Sequence, residues 1–268
     1  MNEAGQVWRT VQRVRETGPL VHNITNYVSM DVAANALLAF GASPAMVHAE
    51  EEVEEFVAIA STLVVNIGTL SRAWVRSMAK AADRAGELGK PWVLDPVGAG
   101  ATSYRTAAAR DLSRRGPAVV RGNASEILAL AGADAAATRG VDSVHASEHA
   151  LDVARTLGGE LGCVVAVTGA VDYVTDGTRV ASVANGHEMM TKVTALGCTA
   201  SAMVAACLAV EMDAVVATAH ALAALGVCGE VAAEGAAGPG SLRVRLLDAL
   251  YGLDEEMLRR ARVRETGA

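Results

Sequence analysis

The sequence predicts an α/β fold: a mostly parallel central sheet covered by helices on both faces, with a late β-hairpin and a helical C-terminal part. Three observations carry this reading. Short β-branched runs alternate with helical runs from residue 19 to residue 169, the pattern of a parallel sheet buried on both sides. Of the 268 residues 51% are apolar, yet only three Trp, four Tyr and two Phe are present, so Ala, Val and Leu must build a core of closely packed helices and strands. No linker and no internal repeat interrupts the chain, so residues 1–268 are expected to form one domain.

The elements follow in order. Residues 1–18 form a polar amphipathic lead-in helix. "PLVHNITN" (19–26) begins as a strand and ends in polar residues, and "MDVAANALLAF" (30–40) is a helix stopped by Gly41. "PAMV" (44–47) is a short strand, and "EEVEEFVAIA" (51–60) is a helix whose first turns carry the acids that favour an N-terminus. "TLVVNIG" (62–68) is a buried strand, followed by a helix over 72–88. "PWVLDPVGAG" (91–100) is a strand running into a Pro/Gly loop, and a helix over about 104–114 leads to the strand "PAVVRGN" (117–123) and the helix "ASEILALAG" (124–132). A loop over 133–142 precedes a helix over 146–161 and the strand "CVVAVTG" (163–169). "DYVTDGTRVASV" (172–183) is a hairpin, with Asp176-Gly177 expected as a two-residue turn. Residues 197–262 read as almost wholly helical, interrupted near "AGPGS" (237–241).

Charge and cysteine usage narrow the function classes. A net charge of −7 without a long basic run argues against a nucleic-acid surface. No apolar stretch reaches membrane-span length without a polar break, and the N-terminus has no signal-peptide pattern, so a cytoplasmic protein with no membrane partner is expected. Cys163, Cys198, Cys207 and Cys228 show no CxxC pair and no metal-ligand spacing with histidines, which reads as reduced thiols. Cys207 and Cys228 lie in apolar helical runs, as small buried hydrophobes do.

In a doubly wound sheet, ligands bind beyond the carboxyl ends of the strands. Those ends carry Asn23, Thr25 and Asn26, then Met46, Asn66 and Gly68, Asp95 and Gly98, Arg121, Asn123 and Glu126, and Thr168 with Gly169. Asp95 and Glu126 offer oxygen ligands of the kind Mg²⁺ takes. They read equally well as a turn residue before Pro96 and a first-turn helix acid. Arg121 leaves its strand into Gly122, so its guanidinium is placed for bidentate phosphate contact, or else for a surface ion pair. Thr168 offers phosphate a hydroxyl, and a helix beginning at Gly197 offers it free N–H groups. On the first turn of that helix sits Cys198. No GxxxxGK[ST] loop occurs. A thiol hydrolase with Cys198 as nucleophile needs a histidine base, and no histidine lies near a matching motif.

"PLVHNITNYV", "LLAFGASPAMV", "NIGTL", "WVLDPVGAGAT", "VVRGNASEILAL", "VVAVTGAVDYVTDG" and "TKVTALGCTASAMVAACLAV" together resemble the hydroxyethylthiazole kinases of thiamine biosynthesis and salvage, over about residues 17–250. The resemblance implies a ribokinase-like fold and transfer of the ATP γ-phosphoryl group to the hydroxyl of 4-methyl-5-(2-hydroxyethyl)thiazole. It also implies Mg²⁺ and a homotrimer with the thiazole near a subunit interface. It places Met46, Ala195 and Asn23 at the thiazole, Arg121, Thr168 and Gly197 at the nucleotide, and Asp95 and Glu126 at the metal. Cys198, at a place where related kinases for other vitamin-precursor alcohols or sugars carry aspartate, is expected to act as general base, or at least as hydrogen-bond acceptor, for the alcohol proton. The family usually shows glycine where this sequence has Ala195. If Ala195 takes a positive φ, the strain is of order 1 kcal/mol. A helix start lowers a thiol's pKa and bound polyphosphate raises it, so the two push Cys198 in opposite directions.

Overall fold

A computed structural model describes residues 3–133 and 143–266. The helices are α1 (Glu3–Thr17), α2 (Met30–Phe40), α3 (Val53–Ile59), α4 (Arg72–Glu87), α5 (Ser103–Ser113), α6 (Ala124–Ala131), α7 (Ser143–Leu161), α8 (Leu196–Leu208), α9 (Ala214–Glu234), α10 (Pro239–Tyr251) and α11 (Glu255–Leu258). The strands are β1 (Leu20–Ile24), β2 (Ser43–Ala45), β3 (Thr62–Asn66), β4 (Trp92–Asp95), β5 (Val119–Asn123), β6 (Val164–Thr168), β7 (Asp172–Thr175), β8 (Val180–Val183) and β9 (Val263–Thr266). They form one open sheet in the order β2-β1-β3-β4-β5-β6-β7-β8-β9. Pairings from β2 to β6 are parallel, and those from β6 to β9 are antiparallel. The expected loop over 133–142 lies, after Ala133, outside the described residues.

Strand alternation sorts the core into two layers. Val21, Val64, Val93, Val119 and Val164 face α1, α2, α8, α9 and α10. Ile24, Val65, Leu94, Val120 and Val165 face α3 to α7. Because successive strand side chains alternate faces, Asn23, Asn66, Asp95, Arg121 and Thr168 all fall on the layer that α8 covers. This parity is what brings the polar strand ends together.

One expectation needs correction. The hairpin connection is four residues, since Thr175 pairs with Val180. Asp176 Oδ1 accepts from the backbone N–H of Thr178 (3.0 Å) and Arg179 (2.8 Å), and Thr175 Oγ1 accepts from Gly177 N–H (3.0 Å). These side-chain oxygens replace the ladder partners that a tight turn would need. The stretch 197–262 is helical as expected, and beyond it β9 extends the sheet past β8. Its Val-Arg-Glu-Thr sequence is the charged composition that protects an edge strand, and it carries little strand signal of its own. α9 has the length and apolar composition of a membrane span, broken by His220 and Glu230, and 78% of its most apolar window is buried inside the fold, against α8 and α10.

Candidate active site

The centre of the site is a cross-strand pair. Asn66 and Asp95 end β3 and β4 in direct register, and Asn66 Nδ2 donates to Asp95 Oδ2 at 2.8 Å. Ser201 Oγ, on α8, donates to the same oxygen at 2.8 Å. Asp95 is fully buried, and its other oxygen, Oδ1, has no hydrogen-bond partner among the described residues. Burial pushes the carboxyl up to about 6, against Arg121 nearby, which favours the ionised form. A buried carboxylate oxygen left open is costly unless something fills the role.

Cys198 stands one helical turn before Ser201 on α8. Its Sγ accepts from Asn26 Nδ2 at 3.3 Å, and Asn26 Nδ2 also donates to Asn66 Oδ1 at 2.8 Å. Burial, then the Asp95 charge, raise the thiol above its ordinary value, while Asn26, Asn66 and Arg121 oppose them. The net direction left open by the sequence is therefore upward. The other three thiols are buried and unpaired by disulfides.

Ahead of α8, Ala195 takes φ 68° and ψ 0°, the left-handed region. The first intrahelical bond runs from Thr199 N–H to the Ala195 carbonyl at 2.9 Å. The N–H groups of Leu196, Gly197 and Cys198 therefore lead out of the helix, the arrangement that favours an anion. Arg121 closes the other side. Its Nη2 donates to Thr168 Oγ1 at 2.7 Å, and a Cβ on Gly197 would lie only 2.8 Å from its Nη1. Gly197 thus lets the guanidinium lie against the helix start. Arg121 Nε is buried with no hydrogen-bond partner among the described residues.

Glu126 sits in the first turn of α6 and is largely buried. Its Oε2 accepts from Asn123 N–H and its Oε1 from Gly98 N–H, each at 2.8 Å. Asn123 Oδ1 in turn accepts from Glu126 N–H at 3.0 Å, completing a reciprocal cap. The first-turn reading of Glu126 is thus realised, with one lone pair left on each oxygen. Among the described residues no three His, Cys, Asp or Glu side chains converge as a metal cage. The donor set of one open Asp95 oxygen and a bonded Glu126 suits Mg²⁺, which keeps several waters and takes further oxygens from substrate phosphates.

Two expected residues stand apart from this cluster. Met46 follows β2 and packs at the margin of the α8-side core. Asn23 is fully buried within β1, with Nδ2 donating to the Val21 carbonyl at 2.9 Å and Oδ1 without a partner among the described residues. No hydrogen bond joins either to Cys198; the β1 exit is represented there by Asn26. Sequence reasoning left Asn26, Asn66 and Ser201 without roles, although the first two were visible as polar strand exits. It also passed over Asp172, which accepts from Gly169 N–H at 2.9 Å and is pushed up to about 6 by burial, with Arg121 acting against that shift.

A hydrolytic reading of Cys198 finds no base. His22 bonds the Val47 carbonyl, His48 meets the Thr25 backbone, His187 accepts from Met189 N–H and His220 pairs with Thr10. No described histidine reaches the thiol.

The family model of the hydroxyethylthiazole kinases matches residues 11–256. The chain belongs to the hydroxyethylthiazole kinase family. A hydroxyethylthiazole kinase from Granulibacter bethesdensis is 56% identical over 248 residues, which cover 92% of this chain and 90% of that one. The solved structure of a hydroxyethylthiazole kinase protein from Pyrococcus horikoshii aligns with TM-score 0.90 at 48% identity, covering 97% of this chain and 98% of the other. A ribokinase-like superfamily protein from Enterococcus faecalis shares the fold, with TM-score 0.67 at 13% identity over 94% of this chain and 95% of its own. The fold is therefore ribokinase-like and the chain is a kinase. Arg121, Gly197, Cys198 and Asp95 lie together on the sheet face beneath the start of α8.

Proposed function

We propose that this chain transfers the γ-phosphoryl group of ATP to the hydroxyl of 4-methyl-5-(2-hydroxyethyl)thiazole, at the face of the sheet beneath the start of α8. The observation that carries the reading is the convergence of Cys198, Asp95 and Arg121 there, in a chain of this family. Arg121, Thr168 and the N–H groups at Gly197 hold the nucleotide phosphates. Met46, Ala195 and Asn23 line the acceptor side. Asp95 and Glu126 are the residues that would hold Mg²⁺, which would neutralise phosphate charge when bound.

Transfer forms a bond from the alcohol oxygen to the γ-phosphorus and breaks the bond to the ADP oxygen. The alcohol proton goes to the Cys198 thiolate. A base supplies typically about 10²–10⁴-fold, so positioning by Arg121 and the helix start carries more of the rate. Because burial and Asp95 raise the thiol's pKa, the thiolate is a minor form at neutral pH and grows with pH. The working unit is a homotrimer whose neighbour covers the acceptor side; exposed Tyr27 and Val28, directly after Asn26, support this. Four free cysteines and a reducing cytoplasm go together. A coupled assay for ADP release on addition of the thiazole alcohol tests the proposal. Release that is absent with this alcohol and present with a pyrimidine or pyridine alcohol would move the chain to another acceptor.

A further inference from the structure

We infer that Asn26 is a positioning residue of this transfer, acting through Cys198 by holding its sulfur as a hydrogen-bond acceptor. The inference rests on Cys198 being the proton acceptor. The orientation of the Asn26 amide is fixed by its surroundings. Oδ1 accepts from the backbone N–H groups of Val28 (3.1 Å) and Ser29 (3.0 Å), two donors just ahead of α2, so that side must be oxygen. The two hydrogens of Nδ2 are then spent on Asn66 Oδ1 and Cys198 Sγ.

Asn66 is oriented in the same way. Its Oδ1 takes Gly68 N–H at 2.9 Å as well as Asn26, and its Nδ2 faces Asp95. Both amides therefore donate, one toward the sulfur and one toward the carboxylate, and neither can flip without losing two bonds. Gly68 leaves room for this, since a Cβ there would sit 2.6 Å from Asn26 Nδ2.

With Asn26 as donor, the sulfur is an acceptor from that side in both protonation states. A thiolate accepts such a bond more strongly than a thiol. The charged groups acting on the thiol are Asp95, which disfavours the thiolate, and Arg121, which favours it. Asn26 supplies a neutral donor on the favouring side without adding a charge that would compete for phosphate.

Two substitutions in the full-length enzyme separate this from a structural role. Asn26→Asp keeps an acceptor for Val28 and Ser29 and turns the donor into a repelling oxygen. Asn26→Ser keeps a turn acceptor and only removes the donor. The first readout is iodoacetamide alkylation of Cys198 against pH, with the three buried cysteines as internal controls. The midpoint is expected to rise by about one pH unit in Asn26→Ser and more in Asn26→Asp, an effect of about tenfold or more in rate at fixed pH. The second readout is turnover. kcat should fall by about tenfold with KM for ATP unchanged, and the same substitutions should change kcat less than twofold in a Cys198→Ala background. An unshifted alkylation midpoint in the folded serine variant, or an equal kcat loss in the Cys198→Ala background, overturns the role of Asn26. Normal turnover of Cys198→Ala alone overturns the base reading itself, a result distinct from either.

Discussion

Ala195 is the only non-glycine residue with positive φ among the described residues. Its left-handed conformation costs an L-residue roughly 1–2 kcal/mol. Ala195→Gly removes that strain, but glycine's extra freedom in the unfolded chain takes back roughly 0.4–1 kcal/mol. Losing a half-buried methyl takes back roughly another 0.4 kcal/mol. The net gain expected is about 0.5 kcal/mol, or roughly 1–2 °C in Tm for a chain of this size. Ala195→Val moves the other way, because a β-branched side chain tolerates this region still less, and should cost about 1–2 kcal/mol. Urea unfolding of the three proteins reads a spread of about 2 kcal/mol between Gly and Val. The Ala195 carbonyl accepts from both the backbone N–H (2.9 Å) and Oγ1 (3.0 Å) of Thr199, so the valine should also loosen the start of α8 and raise KM for ATP. A valine variant as stable as the parent would refute the reasoning, since no left-handed strain would then exist at residue 195.

Arg121→Ala should raise KM for ATP about tenfold or more, the worth of a charge-assisted phosphate contact, with thiazole binding little changed; unchanged ATP kinetics would place the side chain outside the site. Asp95→Asn and Glu126→Gln should each depress turnover far more than nucleotide affinity, and near-normal turnover in both would remove the metal assignment. Asp95→Asn should also stabilise the metal-free fold. The folded carboxyl is raised from 3.8 to about 6, so Asp95 favours folding fully below 3.8 and loses that contribution as pH rises through about 6. Above pH 7 the asparagine variant should gain up to about 2–3 kcal/mol, and denaturant melts at pH 3.5 and pH 8 check that the gain appears only at the higher pH. Light scattering should return a trimer, and a fully active monomer would contradict the shared acceptor site.

Periodicity and punctuation made the fold legible as far as β6, because each buried strand there is a β-branched run between a helix and a glycine or polar exit. β9 was hidden for the opposite reason: an edge strand advertises charge, and Arg264 and Glu265 are exposed beside the buried Val263. The tight turn at Asp176-Gly177 was a sound local reading overridden by the oxygens of Thr175 and Asp176. In the site, residue types were visible but pairings were not. Asn66 and Asp95 are 29 positions apart and meet through strand register, while Ser201 looks like any small residue in an apolar helix until α8 is laid over β4. The direction of the Cys198 shift was equally out of reach, since it depends on how deeply the helix start is buried beside Asp95.

The central claim is that Cys198 takes the alcohol proton from the start of α8, and the pH profile of kcat tests it most directly. In the parent enzyme kcat should climb through neutral pH and past the ordinary thiol range, following the raised thiol. Cys198→Asp should keep substantial activity with a profile flat above about pH 7, because a carboxylate is already ionised there. Cys198→Ala should lose much of kcat, keep ATP binding and show no thiol limb. The same rising limb in all three proteins would contradict the account and assign the proton to another group.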